Sequence, residues 1–127
     1  MPEKKKKKPI SVQSRKAKGR RFQQAVRDRI IKLFDADPKD VHSTSMGAGG
    51  VDVKMSREIN DMFPHDIECK NKESINVWKE YEQAKDHTKK TKSPYEPILF
   101  IKKNNKKPLA VVDMEFFFSM YEKILEK

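Results

Sequence analysis

Apolar residues recur along this chain with two different periods. Between Gly19 and Asp35 they fall at Phe22, Ala25, Val26, Ile30, Leu33 and Phe34, a helical stripe that predicts an amphipathic helix. Asp37-Pro38 ends it, since the residue before a proline is pushed out of the helical region. A short strand is expected at Val41 to Ser43, followed by a tight turn at Met46-Gly47-Ala48-Gly49-Gly50, where glycine permits positive φ. Val51 to Met55 then alternates as Val-Asp-Val-Lys-Met, the period of a half-buried strand. Residues 65–71, HDIECKN, repeat that alternation, with Ile67 and Cys69 on one face and Asp66, Glu68 and Lys70 on the other. The two segments read as a hairpin joined by a polar loop over residues 56–64.

The second half continues in the same way. Ser74 is placed to cap a helix running to about Lys89, with Ile75, Trp78, Tyr81 and Ala84 or Lys85 along one side. Pro94 and Pro97 interrupt the chain before Ile98-Leu99-Phe100-Ile101, a continuous apolar run expected to be a central strand covered on both faces. Lys103 to Lys106 form a turn, and Leu109 to Val112 the partner strand. Asp113 caps a terminal helix with a broad apolar face of Phe116, Phe117, Met120, Tyr121, Ile124 and Leu125. The predicted order is helix, three strands, helix, two strands, helix.

Composition narrows the class. The chain has 127 residues, 35% apolar and 38% charged, which suits one modest core. No stretch approaches the roughly 18 consecutive apolar residues that crossing a bilayer needs, and no secretory signal follows the basic start. A lone Cys69 fits a reducing, intracellular compartment. Lys and Arg number 29 against 19 Asp and Glu, a net +10, and that excess is almost all at the front. Residues 1–21 hold ten basic residues against Glu3, whereas the remaining 106 hold 19 basic against 18 acidic. Residues 1–17 are therefore expected to be a disordered basic arm, and residues 18–127 a single folded domain. Such an arm can solubilise, address the chain to a nucleus, or tether it to phosphates by counterion release.

Candidate chemistry lies on the polar faces of the predicted hairpin. Glu68 and Lys70 are two apart on a strand, so they share a face at roughly 6.6 Å, and Asp52 leaves the glycine turn on the partner strand. Two carboxylates brought together this way suit Mg²⁺, which prefers oxygen ligands and keeps several waters. A cation there polarises a phosphate oxygen, and an adjacent ammonium stabilises charge growing on phosphorus. The same residues also read as an ordinary turn exit and a solvent-facing cross-strand pair. His42, His65 and His87 have no zinc-ligand spacing, and MGAGG lacks the Lys-Ser/Thr of a Walker loop.

The run from Lys18 to Ser119 resembles the PD-(D/E)xK nuclease superfamily, and within it the archaeal and phage Holliday junction resolvases. The resemblance rests on Lys18-Gly19, Ser43 to Ser45, Gly49-Gly50-Val51-Asp52, Ile67-Glu68-Cys69-Lys70, and the paired segments Pro97 to Ile101 and Ala110 to Val112. It implies an α/β, restriction-endonuclease-like fold, a mixed five-stranded sheet flanked by helices with its first three strands antiparallel. It also implies that Asp52 and Glu68 are ligands of Mg²⁺, or of Mn²⁺ in its place, joined by the Cys69 carbonyl. Lys70 is then the catalytic lysine, with Gln83 near the site and Ser43 or Ser45 near the scissile phosphate. Resolvases usually carry a Glu four residues after the helix-opening Gly. This chain has Gln23 there, so either the metal site is weaker or an accessory acid such as Asp66 compensates.

The expectation is a Mg²⁺-dependent endonuclease of DNA recombination and repair, acting on branched DNA as a homodimer, in a phage or its cellular host. Lys18, Arg20, Arg21, Arg27, Arg29 and Ser43 are expected along the DNA path. Rival readings are a flap, mismatch or duplex nuclease, a non-catalytic nucleic-acid-binding module, and a protein-interaction domain using the Phe116 to Phe118 helix face.

Overall fold

The computed structural model describes residues 11–45 and 50–126. Most of the predicted basic arm and the Met46 to Gly49 part of the turn lie outside these residues. The elements are α1 (Val12–Phe34), a 3₁₀ turn (Pro38–Asp40), β1 (Val41–Ser43), β2 (Val53–Met55), α2 (Arg57–Met62), β3 (His65–Asn71), α3 (Val77–Lys90), β4 (Glu96–Lys102), β5 (Leu109–Val111) and α4 (Met114–Leu125).

The strands form one mixed sheet in the order β1-β2-β3-β4-β5. β1 and β2 are antiparallel, with Val41 opposite Met55, and β2 meets β3 antiparallel at Val53 opposite Ile67. β3 and β4 run parallel over seven residue pairs, Ile67 opposite Ile98 among them, and β5 returns antiparallel to β4. This is the predicted α/β architecture, and α3 supplies the crossover that a parallel pair requires.

α1 lies across β1 to β3 on one face of the sheet. Its buried Phe22, Val26 and Ile30 meet Val41, Val53, Ile67 and Ile98, with Ile59 beneath, to form the core. Val41, Val53 and Ile67 are wholly buried. α3 covers the opposite face over β3 and β4.

Four local expectations need correction. α1 begins at Val12, seven residues before Gly19, so the end of the predicted arm is helical. Ser11 starts it by accepting from the Ser14 N–H through Oγ, a cap that works without any apolar stripe. The predicted polar loop contains α2, capped by Ser56 and pinned by buried Ile59. α3 is capped by Asn76 rather than Ser74, and Trp78, expected to pack, is 79% exposed. α4 has no buried residue; Phe117, Phe118, Tyr121, Ile124 and Leu125 are all exposed. Among the described residues no helix is long and apolar enough to cross a membrane.

Candidate active site

β2 and β3 separate immediately beyond their single paired position, and the gap is where the carboxylates meet. The Asp52 N–H still bonds the Ile67 carbonyl at 2.9 Å. Its side chain then replaces the missing strand partner, with Oδ2 accepting from the Cys69 N–H at 2.7 Å. Three donors fix the Asp52 carbonyl from behind: the Thr44 N–H at 2.9 Å, Thr44 Oγ1 at 3.2 Å and Gln23 Nε2 at 3.2 Å. Asp52 is thus held rigidly inside the sheet, at the point where the β2–β3 ladder ends.

Glu68 stands beside it on β3. Burial, the Asp52 charge and a hydrogen bond between the two carboxyls push Glu68 up to about 8, against the pull of Lys70. Burial is the larger cause and the neighbouring Asp52 carboxylate the next, and Lys70 offsets them only in part. The predicted alternation of β3 holds. Ile67 enters the α1-side core, while Asp66, Glu68 and Lys70 meet α3. Cys69 is half-buried, and burial, followed by Asp52 and Glu68, pushes its thiol well up, which makes it a poor nucleophile. The Cys69 N–H points at Asp52, so the carbonyl of the same residue faces the same gap between β2 and β3.

α3 brings groups that sequence reasoning missed. Glu80, only 10% exposed in its side chain, accepts from Lys72 Nζ at 2.7 Å and lies 3.8 Å from Lys70 Nζ. His87 Nδ1 is 3.7 Å from Glu68 Oε1. Glu80, Ala84, His87 and Thr88 fall on one helical face, and that spacing was the available signal. Gln83, nominated for the site, is exposed and makes no side-chain hydrogen bond among the described residues. Asp66, nominated as a compensating acid, is committed elsewhere. Its oxygens accept from Thr88 Oγ1 at 2.8 Å and Ser93 Oγ at 3.0 Å.

The basic residues divide around α1. Arg20, Ser43 and Ser45 line a polar cleft of about 410 Å³ with Lys16, Gln24 and Thr44, and Thr44 is bonded to Asp52. Lys18, Arg21 and Arg29 turn to the other side of α1, where they border an apolar groove, and Lys18 is buried. Arg27 is engaged by the Val41 carbonyl at 2.9 Å and by Asp28. The expectation that Lys18, Arg21, Arg27 and Arg29 accompany Arg20 on one path is therefore corrected: charge alone does not say which side of a helix a residue occupies.

Among the described residues no group of three or more His, Cys, Asp and Glu side chains is placed around one point. The donor set is two carboxylates and one main-chain carbonyl. It fits Mg²⁺, which takes one or two protein carboxylates and completes its shell with water and substrate phosphate. Gln23 is 2% exposed. It spends its amide nitrogen on Asp52, and its Oε1 has no hydrogen-bond partner. No family model, curated protein or solved structure matches this chain.

Proposed function

We propose that this chain is a divalent-metal-dependent DNA endonuclease of the PD-(D/E)xK type, acting on branched DNA such as four-way junctions. The observation that carries the reading is the meeting of the Asp52 and Glu68 carboxyls where the β2–β3 ladder ends, with Asp52 Oδ2 held by the Cys69 N–H at 2.7 Å and Glu68 pushed up by burial and by the Asp52 charge. Lys70 follows on the same face of β3.

Asp52, Glu68 and the Cys69 carbonyl would hold Mg²⁺ or Mn²⁺. When bound, such an ion polarises a phosphate oxygen and lowers the pKa of a water. The chain's own residues do the rest. Lys16 and Arg20, with the hydroxyls of Ser43 and Ser45, line the cleft and engage phosphates flanking the scissile one. The Lys70 ammonium, steadied by Glu80, offsets charge that builds on the phosphoryl oxygens as water attacks phosphorus and the bond to the leaving sugar oxygen breaks. The attacking water gives up a proton to solvent, and the departing oxygen takes one from solvent. Paired incisions across a junction call for two copies of such a site.

The test is a labelled four-way junction, run beside flap, mismatch and plain duplex substrates, with Mg²⁺, Mn²⁺ or EDTA. The junction is nicked best, only with the metals, and Lys70→Ala abolishes cutting while DNA binding persists. Equal cutting by Lys70→Ala, or cutting in EDTA, overturns the assignment. Salt-sensitive binding without hydrolysis by the wild-type chain leaves only a nucleic-acid-binding module.

A further inference from the structure

α4 carries an apolar face with nothing against it. Phe116, Ser119 and Met120 are its half-buried residues, and Phe116 stacks edge-on against His65. That contact, with the Asp113 cap, roots the helix. Met114, Phe117, Phe118, Tyr121, Ile124 and Leu125 fall within one helical arc and are between 41% and 82% exposed. This is no scatter of single surface residues but a continuous patch of the kind that marks an interface.

The same chain has an uncovered apolar groove. α1 covers β1 to β3 but leaves the β4 and β5 half of that face open. The resulting groove, about 770 Å³, is walled by Ala25, Ile30 and Leu33 of α1 and floored by Phe100, Leu109 and Ala110. Leu33 and Leu109 are 57% and 61% exposed. Arg21 and Arg29 line its α1 edge. They are eight residues apart on one helix, or about 12 Å.

We infer that the chain forms a two-fold dimer in which α4 of each copy lies in the groove between α1 and β5 of the other. Charge selects this pairing. Glu115, Glu122 and Glu126 fall on one flank of α4, beside Phe118 and Leu125, with Lys123 away from them. Glu115 and Glu122 are two turns apart, about 10.5 Å, a spacing that matches Arg21 and Arg29. Packing α4 against its own symmetry mate instead would offer those acids no cation on the contact face. Folding α4 back into its own groove would require lifting Phe116 from His65.

The size is adequate. Aromatic side chains bury about 150 to 250 Å² each when fully covered, and the three exposed aromatics of α4 are already about half covered. Six such residues, with the flanking Met, Ile and Leu, put the two helices on the order of 1,000 Å², before the grooves are counted, in the range of specific interfaces.

Sedimentation velocity of the full chain at about 50 µM, well above the Kd of a standard-size interface, is expected to give the mass of two chains. Phe118→Asp with Tyr121→Asp, both at exposed positions, gives one chain with an unchanged circular dichroism spectrum. Arg21→Glu with Arg29→Glu also gives one chain. Adding Glu115→Arg and Glu122→Arg to the latter pair restores two. A wild-type monomer overturns the inference, as does a dimer that survives Arg21→Glu with Arg29→Glu. The readout is mass, so it stands or falls independently of the nuclease assay.

Discussion

Cation binding at the carboxyl pair should be driven by pH, because Glu68 must surrender a proton that the fold makes it keep. Burial and the Asp52 charge push that carboxyl up to about 8, from an ordinary value of 4.5. At pH about 6, two units below, ionising it forfeits on the order of 3 kcal/mol of binding free energy. The Mn²⁺ dissociation constant is therefore expected to fall about tenfold per pH unit between about 6 and 8, then level off. Isothermal titration in two buffers of different ionisation enthalpy reads both that slope and the release of one proton at the acid end. Metal-free stability runs the opposite way. The folded pKa lies above the unfolded one, so the contribution of Glu68 is complete below 4.5 and is lost as pH rises through about 8. Thermal unfolding in EDTA should show that decline, and Asp52→Asn should flatten it. Mn²⁺ affinity that is flat from pH 6 to 8, with no proton released, refutes the shared-proton picture.

Gln23→Glu gives up the bond to the Asp52 carbonyl and buries a third acid beside it. We expect a loss of about 1 to 3 kcal/mol in EDTA, partly regained in Mn²⁺, as read by urea unfolding with and without metal. Thr88→Val strands a buried Asp66 oxygen and should cost about 1 to 3 kcal/mol in the same assay. Lys16→Ala and Arg20→Ala should each lower the slope of log K against log salt for duplex DNA by about 1. Arg27→Ala, whose guanidinium is already spent on Val41, should leave that slope unchanged.

The parts of this fold that sequence patterning made legible are those with a strict period. A strand alternates faces residue by residue, so the Asp66, Glu68, Lys70 side of β3 and the Ile67, Cys69 side followed directly from HDIECKN. The apolar run at Ile98 marked β4 by a different signal, since a strand covered on both faces has no polar side to alternate with. Elements set by caps rather than stripes were hidden. The first turns of α1 are polar and depend on Ser11, and α2 is six residues long with Ile59 as its one buried side chain. Helix phase was the weak point in the site. Glu80 and His87 face β3, whereas the nominated Gln83 is exposed and Trp78 lies wide of the sheet. Nor does amphipathic spacing reveal whether a face is covered. α4 was readable as a helix, but its bare Phe117, Phe118 and Tyr121 surface was not.

On the proposed reading, Asp52 and Glu68 converge to hold one divalent ion. Crystals of the full chain soaked in Mn²⁺ at pH about 8, where Glu68 begins to ionise, test it most directly through anomalous scattering. A peak is expected between the two carboxylates, within about 2.3 Å of an oxygen from each, and none in an Asp52→Asn crystal. A peak elsewhere, or an empty gap with both carboxyls still bonded to each other, would contradict that reading.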